Sequence, residues 1–239
     1  MRLVTMSGPP SVGKTSVIVK IGGWLRARGQ SVGVAKFDAL SGQDEKIFRR
    51  HGLAAVTGLA GSICPDHYFV TNIADCVAWG ERQGLDWLFT ESAGLCNRCS
   101  PHIEEVLAVC VIDALSGVHT PAKIGPMLRL ADVVLITKAD IVSQIEREVF
   151  SHQVHLANPR ARIMLFNGIT GQGAIDLGRE LDRHVKGVSL ENRRLRFPMP
   201  SAVCSYCVGE TQLGEQYQRG NLKKIHFRDG DVPGAGNHG

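Results

Sequence analysis

Eight residues near the start of the chain have types and spacing suited to holding a phosphate. Gly8-Pro9-Pro10-Ser11-Val12-Gly13-Lys14-Thr15 satisfies G-x-x-x-x-G-K-[ST] and directly follows the apolar run Leu3-Val4-Thr5-Met6. Glycines let a backbone curl until its N–H groups converge on one anion, and the start of the next helix adds further N–H groups. In this pattern Lys14 supplies a charge for the β- and γ-phosphates and Thr15 a hydroxyl for Mg2+. Gly8, Ser11, Val12, Gly13, Lys14, Thr15 and Ser16 are the candidate phosphate-binding set. A second group, Thr137-Lys138-Ala139-Asp140, follows another apolar run and matches [NT]-K-x-D. A carboxylate at Asp140 can accept from both the ring N–H and the exocyclic amine of guanine, a pair that adenine does not offer, while the Lys138 stem can cover the base. Asn167-Gly168-Ile169-Thr170-Gly171-Gln172-Gly173 would close over the base. These residues favour GTP over ATP.

The elements needed to position these groups are legible as an alternation of strand-like and helix-like segments. That alternation predicts an α/β fold, a P-loop NTPase with a largely parallel sheet flanked by helices. Strands are expected at Leu3–Met6, Ser31–Phe37, Trp87–Thr90, Val106–Ile112, Val133–Ile136 and Ile163–Phe166. Helices are expected from Ser16 to Arg28, about Ile73 to Arg82, about Pro121 to Leu130 and about Ala174 to His184. Residues 38–45 read as a polar loop. Periodicity weakens from Gly187, which gives a GTPase-type domain over 1–186 and an appended segment over 187–239. The segment contains a C-x-x-C, a possible short helix between Glu210 and Gly220, and a mobile Gly-rich end.

Composition narrows the class. The 239 residues are 44% apolar and 21% charged, with a net charge of +4 too small and scattered to argue for a nucleic-acid partner. No run approaches the length of a membrane span, and the first strand begins at once, so a cytoplasmic location without a signal peptide is expected.

Trp87-Leu88-Phe89-Thr90-Glu91-Ser92-Ala93-Gly94 ends in E-x-x-G where small GTPases carry D-x-x-G. Here the chain resembles the metallochaperone P-loop GTPases, the relatives of the hydrogenase and urease nickel-insertion GTPases and of the cobalamin-linked chaperones. The likeness spans roughly residues 1–185 and rests on motifs in the same order. It implies slow GTP hydrolysis with Mg2+ held by Thr15, Asp38 and Glu91, and with Lys14, Glu91 and Asp38 as the residues of the reaction; Asp44 shares the loop with Asp38. It further implies a homodimer and a client metalloenzyme or cofactor-handling protein.

Seven cysteines point to metal or redox chemistry more than to disulfides. Cys64-Pro65-Asp66-His67 resembles the Cys-Pro-His of nickel-handling relatives with one residue inserted, and two copies across a dimer axis would give four ligands. Cys96-Asn97-Arg98-Cys99 and Cys204-Ser205-Tyr206-Cys207 are each C-x-x-C, the spacing that turns two thiolates toward one ion. The expected cargo or cofactor at the cysteines is Zn2+, Ni2+ or an iron–sulfur cluster. Cys76 and Cys110 read as core. Two functions fit: a GTPase gating metal delivery to a client, or a GTP-dependent switch whose zinc or iron–sulfur site is structural.

Overall fold

The computed structural model describes residues 1–40, 44–184, 187, 189–198, 210–217 and 222–227. Seven parallel strands form one sheet: β1 (Arg2–Ser7), β2 (Val32–Asp38), β3 (Ala54–Leu59), β4 (Trp87–Ser92), β5 (Leu107–Asp113), β6 (Val133–Thr137) and β7 (Arg162–Phe166). Their order is β3-β2-β4-β1-β5-β6-β7. The helices are α1 (Lys14–Arg26), α2 (Asp44–Arg50), α3 (Pro65–Arg82), α4 (Thr120–Lys123), α5 (Pro126–Arg129), α6 (Gln144–Ala157) and α7 (Ala174–His184).

Central strands of a parallel sheet are covered on both faces, and their side chains alternate between two cores. Val4, Met6, Val34, Phe89 and Val109 face one side, where Ile18, Ile21 and Leu25 of α1 and Leu177 and Leu181 of α7 cover them. Leu3, Ala35, Phe37 and Leu88 face the other side, against Tyr68, Phe69, Ile73 and Trp79 of α3. Toward the β6 end that second face is covered by Ile124, Met127 and Phe150. Cys76 and Cys110 are fully buried in these cores, as their positions imply.

Several elements differ from the sequence expectation. The helix expected from Ile73 begins at Pro65, where proline at the first helical position has its fixed φ in register and no N–H to leave unpaired. The segment near 121–130 is two short helices separated by Gly125. The loop read over 38–45 already enters α2 at Asp44. In place of a helix over 210–220, the described part holds one 3-10 turn at Glu215–Tyr217.

The C-terminal segments pack on the domain. Leu195 pairs with Ile103 through an isolated bridge, and Arg196 clamps Asp132 with two hydrogen bonds of 2.8 Å. Leu213 and Ile225 enter the core over α3. Phe227 stacks on Trp79 with ring centres 6.0 Å apart. The amide of Asn72 in α3 donates to the Lys223 carbonyl and accepts from Ile225 N–H, each at 2.8 Å.

Candidate nucleotide and metal site

β1 ends at Ser7 and α1 begins at Lys14, so the phosphate-loop residues bridge a strand end to a helix start at the carboxyl edge of the sheet. Gly13, in left-handed backbone at φ 96°, caps α1 without a side-chain bond. The first N–H groups of the helix are thereby left facing the loop, the arrangement that holds anions. Lys14 Nζ lies back across the loop and donates to the Gly8 and Pro9 carbonyls, both at 2.8 Å. Burial lowers its pKa, with the Glu91 carboxylate pulling the other way. Ser11 and Val12 are held by the second motif. Thr137 Oγ1 donates to the Val12 carbonyl at 2.6 Å, and Lys138 Nζ donates to the Ser11 carbonyl at 3.0 Å and to Asp113 Oδ2 at 2.8 Å.

Asp140 is exposed. It lies on the wall of a cavity of about 390 Å³ that Asn167, Gln172 and Gly173 also line. Asn167 Oδ1 accepts from the N–H groups of Ile169 and Thr170 at 2.8 and 2.9 Å. Its side chain thus shapes the loop expected to close over the base.

Thr15 Oγ1 reaches Glu91 Oε1 and Oε2 at 3.0 and 3.2 Å. The sheet explains the meeting: β1 and β4 are neighbours with Met6 beside Glu91, so the end of β4 lies beneath the start of α1. Glu91 is buried, and burial raises its pKa against the pull of Lys36, Lys14 and Thr15. Asp38 and Asp44 converge on the same place through Lys36. Lys36 Nζ is 3.1 Å from Glu91 Oε1 and 3.7 Å from Asp38 Oδ2, and it also donates to Asp44 Oδ2. Burial alone would pull the Lys36 ammonium down, but Glu91 and Asp44 outweigh it and its pKa is raised. A hydroxyl and three carboxylates form an all-oxygen donor set of the kind Mg2+ takes, so Thr15, Glu91, Asp38 and Asp44 fit that ion. Sequence reading passed over Lys36, although a lysine inside the apolar run Val34-Ala35-Lys36-Phe37 is the signal of a charge that needs buried partners.

Gly94 connects this region to the cysteines. Its φ is +70°, and a Cβ there would lie 1.8 Å from the Gly8 carbonyl oxygen. The E-x-x-G turn therefore rests on the phosphate loop, and two residues later the chain reaches Cys96. The thiols of Cys96 and Cys99 are 3.6 Å apart. Their sulfurs and a carboxylate oxygen of Asp66 all lie within 4.8 Å of one another. Cys64, at the N-terminal cap of α3, lies beside Cys99, and the two thiols interact electrostatically. The Cys99 thiol and the N–H groups of His67 and Asp66 bring the Cys64 thiol down to about 6. Burial pushes the Asp66 carboxyl up to about 7, with the Cys64 charge adding to it.

Residues read as two separate features, Cys64-Pro65-Asp66-His67 and Cys96-Cys99, thus meet: Asp66, Cys96 and Cys99 form one group of close ligand atoms, and Cys64 adjoins it beside Cys99. Asp66, read as an insertion that displaces His67, is the acid of that cluster. His67 is fully buried in the first turn of α3 and lies outside the group of close ligand atoms. Two sulfurs and one oxygen, with the Cys64 thiol beside them, are donor types that tetrahedral zinc sites use. Cys204 and Cys207 lie outside the described residues.

His102, which sequence reading also passed over, ties the cysteine loop to β1. Its Nε2 is 3.0 Å from the Met127 carbonyl and 3.1 Å from Ser7 Oγ, and its Nδ1 is 3.0 Å from Thr5 Oγ1. A carbonyl only accepts, so Nε2 carries the proton and Nδ1 accepts from Thr5. Complete burial lowers its pKa to about 4 and keeps the ring neutral.

A parallel sheet with a phosphate loop after its first strand, and an acid from the neighbouring strand on the loop threonine, defines a P-loop nucleotide-binding protein, here with a group of thiols and a carboxylate beyond that acid. The description CobW/HypB/UreG, nucleotide-binding domain, matches residues 2–165. The chain belongs to this family. It is 42% identical over 225 residues to the uncharacterized protein MJ0120 of Methanocaldococcus jannaschii, covering 94% of this chain and 96% of the relative. It is 30% identical over 152 residues to the urease accessory protein UreG 2 of Methylobacterium radiotolerans, covering 59% of this chain and 73% of that one. Its fold is similar to HypB from Helicobacter pylori in complex with nickel, with a TM-score of 0.61, 18% identity, and 78% and 90% of the two chains covered. It is also similar to the hydrogenase maturation factor HypB from Archaeoglobus fulgidus, with a TM-score of 0.58, 20% identity, and 76% and 88% covered. Among the described residues, no helix is long and apolar enough to cross a membrane.

Proposed function

We propose that the protein is a GTP-hydrolysing switch that gates delivery of a transition metal to a client protein, with the metal carried at Cys64, Asp66, Cys96 and Cys99. The observation that carries this reading is the continuity of one loop. Glu91 bonds Thr15, Gly94 rests on Gly8, and Cys96 and Cys99 follow within a few residues. A change at the γ-phosphate side of this loop alters where two of the four ligands stand.

In this reading Asp140 reads guanine, and Lys14 with the α1 N-terminus binds the β- and γ-phosphates. Thr15, Glu91 and Asp38 hold the Mg2+ side, and the ion offsets phosphate charge when bound. Lys138 and Thr137 fix the phosphate loop from the base side through Ser11 and Val12. The thiols favour Zn2+ or Ni2+ as cargo, by the softness of their ligands. A homodimer and a client metalloenzyme are part of the proposal, supported by membership of the family. The described residues of the C-terminal part, Leu213, Ile225 and Phe227 among them, brace α3.

The test is metal affinity measured with GTP, with GDP and without nucleotide, beside a Cys96→Ser/Cys99→Ser variant. Nucleotide-dependent affinity that the double substitution abolishes is expected. A metal held equally in all three states would mean a structural site and end the delivery reading.

A further inference from the structure

The three carboxylates beside Thr15 are already balanced by a cation that belongs to the chain. Lys36 and Glu91 are direct register partners on adjacent strands β2 and β4. Parallel partners project to the same face, so the sheet itself sets the ammonium against the Glu91 carboxylate. Lys36 is 6% exposed and Glu91 2%. Asp38 closes from the end of β2 at 3.7 Å, and Asp44 approaches from the first residue of α2. Lys14 is the other cation in the neighbourhood, and its ammonium is bonded to the Gly8 and Pro9 carbonyls of the phosphate loop. Lys14 also attracts the Glu91 carboxylate, but its ammonium is bonded to loop carbonyls, so Lys36 is the cation that directly bridges these acids. Without it the site would present a hydroxyl and three carboxylates to a divalent ion.

We propose that Lys36 is a specificity-determining residue of this site: a resident ammonium that keeps the acids Asp38, Asp44 and Glu91 from binding a free divalent metal, so that the ion enters only together with a triphosphate. The charge arithmetic is direct. With Lys36 in place, three carboxylates and one ammonium leave two negative charges, part of which is already engaged in hydrogen bonds. The phosphates of an incoming nucleotide add the charge and the oxygen ligands needed to outcompete the ammonium. Such a block matters in a chain with a thiol cluster a few residues further along the same loop. It keeps hard-oxygen and thiolate sites from competing for one pool of metal. The inference rests on reading Thr15 and Glu91 as the Mg2+ side of the nucleotide site.

The test needs no nucleotide and therefore stands apart from the GTP assignment. Mn2+ is the probe, because it prefers carboxylate oxygen and is weakly held by the other ligand types. Mn2+ binding is followed by electron paramagnetic resonance on nucleotide-free wild type, Lys36→Met, Lys36→Gln, Lys36→Arg and Lys36→Met/Glu91→Gln proteins, each checked for folding by circular dichroism. Wild type and Lys36→Arg are expected to hold no Mn2+ tightly. Lys36→Met and Lys36→Gln are expected to gain one site at least about tenfold tighter than any in the wild type, and Glu91→Gln is expected to remove it again. Lys36→Gln, one bond shorter than lysine, keeps a hydrogen-bond donor should Lys36→Met fail to fold. Tight Mn2+ binding by the wild type without nucleotide that a Glu91→Gln single variant, measured alongside, loses would overturn the proposal, and so would a folded Lys36→Gln protein that gains no site. Failure of the wild type to prefer GTP over ATP would instead strike at the function proposed above and leave the Mn2+ result standing.

Discussion

Two lysines direct their ammonium groups at carbonyls of the phosphate loop, and substitution should separate their tasks. Lys14 donates to Gly8 and Pro9, where a phosphate offers a stronger acceptor; Lys138 donates to Ser11 and Asp113 from the base side. Lys14→Ala is expected to abolish triphosphate binding in a calorimetric titration. Glu91→Ala is expected to leave binding within about tenfold of the wild type and to slow turnover well beyond that factor. Asp140→Asn should weaken GTP and favour xanthosine triphosphate, since the amide inverts one donor–acceptor match. His102 supplies a residue-scale prediction in pH. Its ring is neutral in the fold, with a pKa lowered from 6.5 to about 4, so the unfolded chain binds the extra proton between those values. Stability is therefore full above pH 6.5 and falls as the pH drops toward 4, by about 3 kcal/mol at the limit. His102→Gln should flatten that part of the curve of unfolding free energy against pH, while lowering stability near neutrality through the lost bonds to Thr5 and Met127.

At the scale of elements, the loop from Glu91 to Cys99 joins the two halves of the site, and Gly94 is its fixed point. An alanine there would need both a left-handed backbone and the space of the Gly8 carbonyl. Gly94→Ala is thus expected to cost about 1–3 kcal/mol and to weaken metal binding at Cys96 and Cys99, read by thermal unfolding beside a zinc titration. The strand-to-helix passage of the phosphate loop and the strands ahead of it and of Thr137-Lys138-Ala139-Asp140 were legible from residue type and spacing, because apolar runs end there in residues with few other roles. β3 was not, since Ala54-Ala55-Val56-Thr57-Gly58-Leu59 is short and small-residued. Nor was α6: its Ser143/Glu146 capping box is a start signal, but only Phe150 and Val154 are buried, with Ile145 and Val149 facing outward. The first two turns of α3 were hidden because Cys64, Asp66 and His67 read as a ligand motif rather than as a helix start. The union of Cys64 with Cys96 and Cys99 depends on how α3 lies against the loop after β4, which no local pattern encodes. Lys36 escaped for a similar reason: its partners come from β4 and α2 as well as its own strand.

Across the whole molecule, the C-terminal segments brace the helix whose N-terminal end carries Cys64 and Asp66. Leu213, Ile225 and Phe227 cover α3, and burying each such side chain contributes about 1.5–3 kcal/mol. A chain ending at residue 209 should unfold at a clearly lower temperature and bind metal more weakly, with nucleotide affinity near that of the full chain; calorimetry and paired metal and nucleotide titrations read all three. The sheet order carries a different consequence, for synthesis. β1, translated before the other six strands of the sheet, is flanked by β4 and β5, with Met6 beside Glu91 and Ser7 beside Cys110. The next two strands to emerge, β2 and β3, pair with each other, and β2 pairs on its other side with β4, leaving β1 without a neighbour until β4 arrives. At about 5–20 residues per second, the apolar Leu3-Val4-Thr5-Met6 run stays unpaired for roughly five to twenty seconds of elongation. The phosphate loop is thus translated before either strand that flanks β1, and a nascent chain paused before Leu107–Asp113 has cleared the exit tunnel lacks one of the two neighbours that fix the strand leading into that loop.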